Sequence, residues 1–182
     1  MKLLDVGSGP GLYVDELRRA GVDAAGIDPF GPADEDRHLS QMNVLDDADL
    51  RLLIACGPWD TCLCLEVAEH LPEKDAGQFV AALAKLAPTT YFSAAHIGQG
   101  GEGHLNCQEK DYWREKFAAV GMAEDVPATQ AFVDYISTTC PHYMLWLTQN
   151  IMVMRRFDTL YYDRINSEEQ PQAEWIAKWL AR

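Results

Sequence analysis

Three alternating glycines near the start of the chain are the first residues whose types and spacing point to chemistry. The run Leu3-Leu4-Asp5-Val6-Gly7-Ser8-Gly9-Pro10-Gly11 leads into Leu12–Arg19, which has helical spacing. The pattern predicts a strand, a tight turn and a helix. Glycines allow a positive φ and close approach of the backbone to a ligand, and a helix N-terminus offers free N–H groups to a carboxylate or phosphate. The stretch is therefore typical of a nucleotide-binding corner.

An acid comes after these glycines at a distance that suits nucleotide binding. Residues 22–28 predict a short buried strand that ends in Asp28, 23 residues after Asp5. A carboxylate at this place can accept hydrogen bonds from both hydroxyls of a ribose. The third glycine comes one position too early for the dinucleotide fingerprint, which makes NAD the weaker interpretation. A glycine turn in an unrelated α/β protein, with Asp28 only capping the next segment of the chain, is the other alternative.

Together with Asp28, the block from Leu4 to Gly11 resembles the first two motifs of class I S-adenosylmethionine-dependent methyltransferases. The resemblance implies a doubly wound α/β fold whose seven-stranded sheet is mainly parallel, with an antiparallel last strand. It implies S-adenosyl-L-methionine as the cofactor and S-adenosyl-L-homocysteine as the product. The cofactor-binding residues that it implies are Asp5, Gly7, Ser8, Gly9, Gly11, Asp28, Pro29, Asn43, Val44, Asp46, Leu65 and Glu66.

The adenine contact is expected after a third strand predicted at residues 38–44. The family usually places a polar or acidic residue beside the adenine amino group, and Asn43 or Asp46 is its counterpart here. Asp46 and Asp47 also precede a helix predicted over residues 48–56, where an Asp is a common N-cap. Ligand contact and helix capping therefore both stay open for Asp46.

A second block of the family comes after a strand predicted at residues 59–65. Glu66-Val67-Ala68-Glu69-His70-Leu71 is similar to the fourth-strand motif of many small-molecule methyltransferases. Ligands of parallel sheets bind outside the carboxyl ends of the strands, so chemistry is expected here. His70 is a candidate catalytic base because imidazole titrates near neutral pH, and a surface histidine is the alternative. Glu69 is expected to contact the substrate.

A polar, glycine-rich loop occupies residues 96–108. His104, Asn106 and Gln108 alternate in it, so an extended chain would direct their side chains toward the same side. We expect Asn106 and Gln108 to bind the substrate and His104 to be a second candidate base, since so many polar groups suit a pocket. A flexible loop anchored by Trp113 is the alternative.

No metal is expected from the sequence. His96, Glu102 and His104 have spacings that fit no zinc signature, and the five cysteines lack a C-x-x-C pair. The odd number of cysteines indicates reduced thiols, and Cys62 and Cys64 alternate on a predicted strand as small buried hydrophobes would.

The remaining periodicity predicts the rest of the sheet and its helices. Helical spacing is expected over residues 72–87, 109–120 and 128–147, and strands over residues 89–95, 122–126 and 149–156, the last of them reversed. We expect one domain with its core at about 1–157 and a tail helix at about 158–182, which would pack on the domain or on a second copy. The sheet begins almost at Met1, whereas family members usually carry helices before it. We therefore expect an open site, or one covered by the loop, the tail or a partner subunit in a homodimer.

Charge and composition limit the classes of partner. The 182 residues carry a net charge of −13, with 28 acidic and 15 basic residues, which opposes binding to long DNA or RNA. No apolar run reaches the roughly 18 residues of a membrane span, and no signal peptide precedes the first strand, so we expect a cytoplasmic protein without a membrane partner.

The function expected from these observations is methyl transfer from S-adenosylmethionine to an oxygen or nitrogen of a small-molecule acceptor. Two other hypotheses use the same cofactor. One is a regulatory or scaffold module that binds it without methyl transfer, and the other is a lyase or aminopropyl reaction.

Overall fold

Strands and helices alternate along the chain in the computed structural model, which describes residues 1–139 and 145–157. The strands are β1 (Lys2–Val6), β2 (Asp23–Ile27), β3 (Leu39–Ser40), β4 (Thr61–Leu65), β5 (Thr89–Ser93), β6 (Met122–Glu124) and β7 (Met152–Arg156). The helices are α1 (Leu12–Arg19), α2 (Asp47–Ala55), α3 (Ala76–Leu86), α4 (Lys110–Ala118), α5 (Val126–Thr139) and α6 (Leu145–Asn150). Short 3₁₀ turns at Ala68–His70 and Glu73–Asp75 precede α3.

One seven-stranded sheet unites these strands in the order β3-β2-β1-β4-β5-β7-β6. The first five strands run parallel to one another, while β7 is antiparallel to both of its neighbours, β5 and β6. The predicted fold class is therefore confirmed, including the reversed last strand. The strand order changes direction between β1 and β4, and this switch point is where open α/β sheets bind their ligands.

Helices cover both faces of the sheet. On one face, α2, α3 and α4 contribute the buried side chains Leu50, Leu53, Phe79, Val80, Leu83, Trp113 and Phe117. On the other face, α1, α5 and α6 contribute Val14, Leu17, Phe132, Ile136 and Leu147. Cys62 and Cys64 of β4 are fully buried in the first cluster, as predicted for small hydrophobes. The sheet is doubly wound because each helix buries one apolar stripe against it.

Several element boundaries differ from the sequence predictions. The strand predicted at residues 122–126 ends at Glu124, because α5 begins at Val126, and the helix predicted over residues 128–147 is observed as α5 and α6. The strand predicted at residues 38–44 is only Leu39–Ser40, because β3 lies at the edge of the sheet and pairs with β2 alone. The last strand begins at Met152 rather than at residue 149, since α6 continues to Asn150. The helix predicted from residue 72 begins at Ala76, after the second 3₁₀ turn.

Two further expectations concern other parts of the chain. The predicted tail helix at 158–182 lies outside the described residues. Among the described helices, none combines the length and the apolar composition needed to cross a bilayer.

Candidate functional site

The glycine corner, by which we mean residues 5–11 together with Asp28, joins β1 to α1. Gly7, Gly9 and Gly11 have φ values of 80°, 51° and 80°. An added Cβ would overlap Val67 at Gly7 and would come within 2.5 Å of Leu39 at Gly11, so these two glycines allow close packing. At Gly9 an added Cβ would meet nothing within 4 Å. Gly9 therefore faces open space, where a ligand can approach the backbone.

Asp28 closes this corner from the end of β2. Its carboxylate accepts hydrogen bonds from the backbone N–H of Gly9 at 3.0 Å and from that of Phe30 at 2.8 Å. The side chain is half-buried, and each of its oxygens keeps a lone pair for a further donor. Pro29 and Phe30 come next at the surface, where Phe30 is 94% exposed. The carboxylate is thus fixed beside the open backbone of Gly9.

Asp5 is the buried acid of the corner. It is 2% exposed, and its Oδ2 has no hydrogen-bond partner among the described residues. Burial raises the pKa of Asp5 to about 7, and the nearby charge of Asp28 acts in the same direction. Burial and the charges of Asp5 and Glu66 also raise the pKa of Tyr13 in α1. Sequence reasoning did not identify Tyr13 as a site residue, because it belongs to no motif beyond the predicted helix.

The residues predicted near the adenine have structural partners of their own. Asp46 caps α2, because its Oδ1 accepts hydrogen bonds from two backbone N–H groups of the first turn at 2.8 and 3.1 Å. Asn43 Oδ1 accepts one from the N–H of Leu45 at 2.9 Å, and Val44 is buried in the core. The capping alternative for Asp46 is confirmed, and an adenine contact stays a prediction. Ser8 is buried, with its Oγ packed beside Gly26.

Glu66 leaves the carboxyl end of β4, directly after the buried Leu65, with a φ of 55°, which is uncommon for a residue with a side chain. Its carboxylate accepts hydrogen bonds from Gln99 Nε2 at 3.0 Å and from Asn150 Nδ2 at 3.1 Å. Asn150 Nδ2 also donates to Gln99 Oε1 at 2.8 Å. This network joins the end of β4, the loop after β5 and the end of α6. Sequence reasoning missed Gln99 and Asn150, and Asn150 was expected inside the last strand.

The acceptor edge, by which we mean residues 66–70 and 96–108, lies at the carboxyl ends of β4 and β5. The backbone carbonyl of Glu69 accepts hydrogen bonds from the N–H groups of Leu105 at 2.7 Å and Asn106 at 2.9 Å. His70 Nδ1 donates to the carbonyl of Gly103 at 3.2 Å. These contacts attach the loop to the end of β4, which the alternative of a flexible loop anchored by Trp113 did not anticipate.

The same contacts bring both candidate bases together. The rings of His70 and His104 meet edge to face, with centroids 5.0 Å apart and planes at 83°. His70 is exposed, His104 is half-buried, and the neighbouring Glu69 is fully buried. Burial raises the pKa of Glu69 to about 7, against nearby backbone N–H groups that lower it. A buried acid with a raised pKa and two imidazoles thus lie side by side.

Asn106 and Gln108 contact each other. Gln108 Nε2 donates to Asn106 Oδ1 at 2.9 Å, and the buried Asn106 Nδ2 has no partner among the described residues. Gln108 and Asn150 line a cavity of about 420 Å³ that is bordered by Trp113 of α4. None of the described residues that line this cavity belongs to the glycine corner. Asn150 connects this cavity to the end of β4, because its Nδ2 also donates a hydrogen bond to Glu66.

The doubly wound sheet, the glycine corner and the acid after β2 define the class of S-adenosylmethionine-dependent methyltransferases. A model of a methyltransferase domain matches residues 1–131, and the chain belongs to this family. The chain is 35% identical over 102 residues to the ubiquinone biosynthesis O-methyltransferase of Methylococcus capsulatus. This match covers 50% of this chain and 42% of that enzyme. The chain thus matches less than half of that relative's length.

Solved structures share the fold at low sequence identity. A SAM-dependent methyltransferase from Archaeoglobus fulgidus is 10% identical with a TM-score of 0.56, and 85% of each chain is covered. The magnesium protoporphyrin IX methyltransferase of Synechocystis, with bound SAM, is 18% identical with a TM-score of 0.55, over 86% of this chain and 70% of that one. With the family match, they confirm the predicted class and its cofactor S-adenosyl-L-methionine, and the Synechocystis enzyme is also known with bound SAH.

Proposed function

We propose that the protein transfers the methyl group of S-adenosylmethionine to an oxygen or nitrogen of a small-molecule acceptor. The observation that carries the proposal is the placement of Asp28, whose carboxylate is held by two backbone N–H groups next to the open backbone of Gly9. A fixed carboxylate with free lone pairs suits the two ribose hydroxyls of a nucleoside.

The residues present fit this cofactor on two counts. Gly9 offers backbone with open space beside it, and the buried Asp5 Oδ2 has no partner among the described residues, so it can accept a hydrogen bond from a cationic group of the cofactor. Gly7, Ser8, Gly9 and Gly11 would hold the methionyl end, Asp28 and Pro29 the ribose, and Asn43, Val44 or Asp46 the adenine, with Leu65 and Glu66 bordering the cofactor. When bound, the cofactor supplies an electrophilic methyl group.

The acceptor would bind at the acceptor edge, because it adjoins the strand end beside the switch point. Displacement at a methyl group needs an attacking atom in line at about 3 to 3.5 Å, so positioning supplies most of the rate. Glu69, Asn106 and Gln108 would orient the acceptor, and His70 or His104 would take its proton. The net charge of −13 supports a small acceptor rather than long nucleic acid. A cytoplasmic location and a homodimer stay predictions.

Calorimetric titration with S-adenosylmethionine and S-adenosylhomocysteine tests the cofactor site. We expect Asp28→Ala to weaken binding by about 10- to 100-fold, the range for losing hydrogen bonds to a charged group. Asp28→Asn keeps an acceptor for one backbone N–H group and should bind with intermediate affinity. Asp36→Ala, which removes an exposed acid in the following loop, is the matched control. Equal affinity in Asp28→Ala and wild type would contradict the assignment.

The product then tests the reaction. Formation of S-adenosylhomocysteine with a small hydroxyl or amine acceptor supports methyl transfer. Binding without turnover would favour the regulatory or scaffold alternative, and methylthioadenosine would indicate the lyase or aminopropyl alternative.

A further inference from the structure

Glu69, His70 and His104 form a donor cluster of unusual composition at the acceptor edge. Each of them offers one ligand atom, and these atoms all lie within 4.8 Å of one another. We propose that the cluster binds one divalent transition-metal ion whose open positions take an oxygen of the acceptor. The role toward the acceptor rests on the proposed function, whereas the metal site itself does not.

The carboxylate of Glu69 is the strongest indication of a missing cation. The residue is 0% exposed, and among the described residues neither of its oxygens has a hydrogen-bond partner of normal geometry, although the backbone N–H groups of Glu69 and Ala95 lie near enough to oppose the rise in pKa that burial causes. A buried carboxylate without partners is unfavourable unless a proton or a cation compensates it. Ligand atoms around a metal with bonds of about 2.1 Å are separated by roughly 3 to 4.3 Å, so a small inward movement would complete the site.

The two histidines present the nitrogen geometry that metal ligands need. His70 Nδ1 faces the carbonyl of Gly103 at 3.2 Å, and because a carbonyl can only accept, Nδ1 carries the proton and Nε2 keeps its lone pair. His104 Nδ1 lies 3.5 Å from Cys107 Sγ. Metal-bound histidines commonly use their second ring nitrogen in such a hydrogen bond, which fixes the ring.

Backbone hydrogen bonds hold the three candidate metal ligands close together. The N–H groups of Leu105 and Asn106 both donate to the carbonyl of Glu69, so the residue after His104 is attached to the residue that supplies the carboxylate. An added Cβ on Gly101 would overlap the ring of His104, and one on Gly103 would lie 3.4 Å from His70 Nδ1. The glycines of the loop therefore leave the space that the two rings occupy.

The donor set restricts the metal and the acceptor. Two imidazoles and one carboxylate suit Zn²⁺, Mn²⁺, Fe²⁺ or Co²⁺ better than Ca²⁺ or Mg²⁺, which prefer oxygen ligands throughout. Three protein ligands leave at least one coordination position open, as in catalytic metal sites. A hydroxyl or carboxylate oxygen of the acceptor fits that position, and a metal lowers the pKa of a bound hydroxyl, whose proton then passes to water. With both histidines as ligands, this effect of the metal replaces the role of base that His70 or His104 would otherwise have. The proposal replaces the expectation of no metal, which considered only spacings along the chain.

Titration of the metal-stripped, untagged protein with Co²⁺ and Zn²⁺ alone, without cofactor or acceptor, tests the site. We expect one equivalent to bind, with a visible absorption band for Co²⁺. Glu69→Gln and His104→Ala should each weaken binding at least tenfold, as should His70→Ala, which removes an exposed ligand. His38→Asn and Glu102→Gln, exposed residues outside the cluster, are controls that should keep full affinity.

Two results would overturn the proposal. One is the absence of saturable binding to the folded wild type, and the other is binding that survives His104→Ala and His70→Ala. Binding of S-adenosylmethionine is measured in the same samples. If the wild type does not bind S-adenosylmethionine, the proposed function is contradicted and the metal result still stands. The two failures are therefore distinguishable.

Discussion

The glycine corner and the acceptor edge meet at the same end of the sheet but are built differently. The corner takes its residues from a run of seven plus Asp28, and backbone N–H groups hold the carboxylate of Asp28. The acceptor edge joins side chains from residues 66–70, residues 96–108 and Asn150, and it leaves both Glu69 oxygens and Asn106 Nδ2 without partners among the described residues. A site made mainly of local backbone is preformed, whereas one assembled from distant side chains keeps polar groups available for a ligand.

Asp5 is the residue of the corner whose pKa depends on tertiary burial. Its ionisation is expected to have the largest effect on the stability of the protein. The folded protein holds the Asp5 proton with a pKa of about 7, against 3.8 for the free side chain. Between these values the unfolded state releases a proton that the folded state keeps, so stability should fall as pH rises from about 4 to about 7 and then level off. The contribution is about 4 kcal/mol.

Urea unfolding from pH 5 to pH 8 measures this dependence in wild type and in Asp5→Asn. The difference between the two free energies of unfolding isolates Asp5 from all other acids. We expect this difference in the free energy of unfolding to change steadily as the pH rises to about 7. Parallel pH profiles would contradict the assignment of a raised pKa.

Gly7→Ala tests whether the corner owes its shape to close packing. Its φ of 80° strains any side chain, and the added Cβ would overlap Val67, so we expect a loss of about 3 kcal/mol in the free energy of unfolding. Gly21→Ala is a matched control with a φ of 86° and nothing within 4 Å of the added Cβ. It should cost about 1 kcal/mol, the strain alone. Equal losses in denaturant unfolding would show that packing against Val67 does not matter.

The Glu66 network should show a smaller effect that is specific to the acceptor edge. Asn150 donates to both Glu66 and Gln99, so Gln99→Ala and Asn150→Ala should not be additive. We expect a coupling of about 1 kcal/mol in a double-mutant cycle on the free energy of unfolding. Additive losses would mean that the two side chains act independently, and that the edge is less connected than its hydrogen bonds indicate.

The sequence predicted the corner well because its signals are local. Alternating glycines after an apolar run define a turn whatever the rest of the chain does, and the observed positive φ values follow from residue type. Apolar periodicity likewise predicted the order of strands and helices. The predictions were wrong at β3 and at the start of β7, where an edge pairing and the continuation of α6 set the boundaries.

The sequence could not place Glu69 beside His104 or Asn150 beside Glu66. Asn150 is 84 residues from Glu66, and no periodicity connects them. Their meeting depends on the pairing of β5 with both β4 and β7, which brings the ends of these strands to one edge. The hydrogen bonds from Leu105 and Asn106 to Glu69 then fix the loop that carries His104.

By itself, then, the sequence determined the glycine corner and the order of strands and helices, because turn chemistry and hydrophobic periodicity act over a few residues. The resemblance of two short motifs indicated the fold class and the family. Only the tertiary structure decided which side chains share the acceptor edge and which polar atoms there stay without partners among the described residues. The physical reason is that strand order and loop attachment set distances between residues far apart in the chain, and burial then sets their charge.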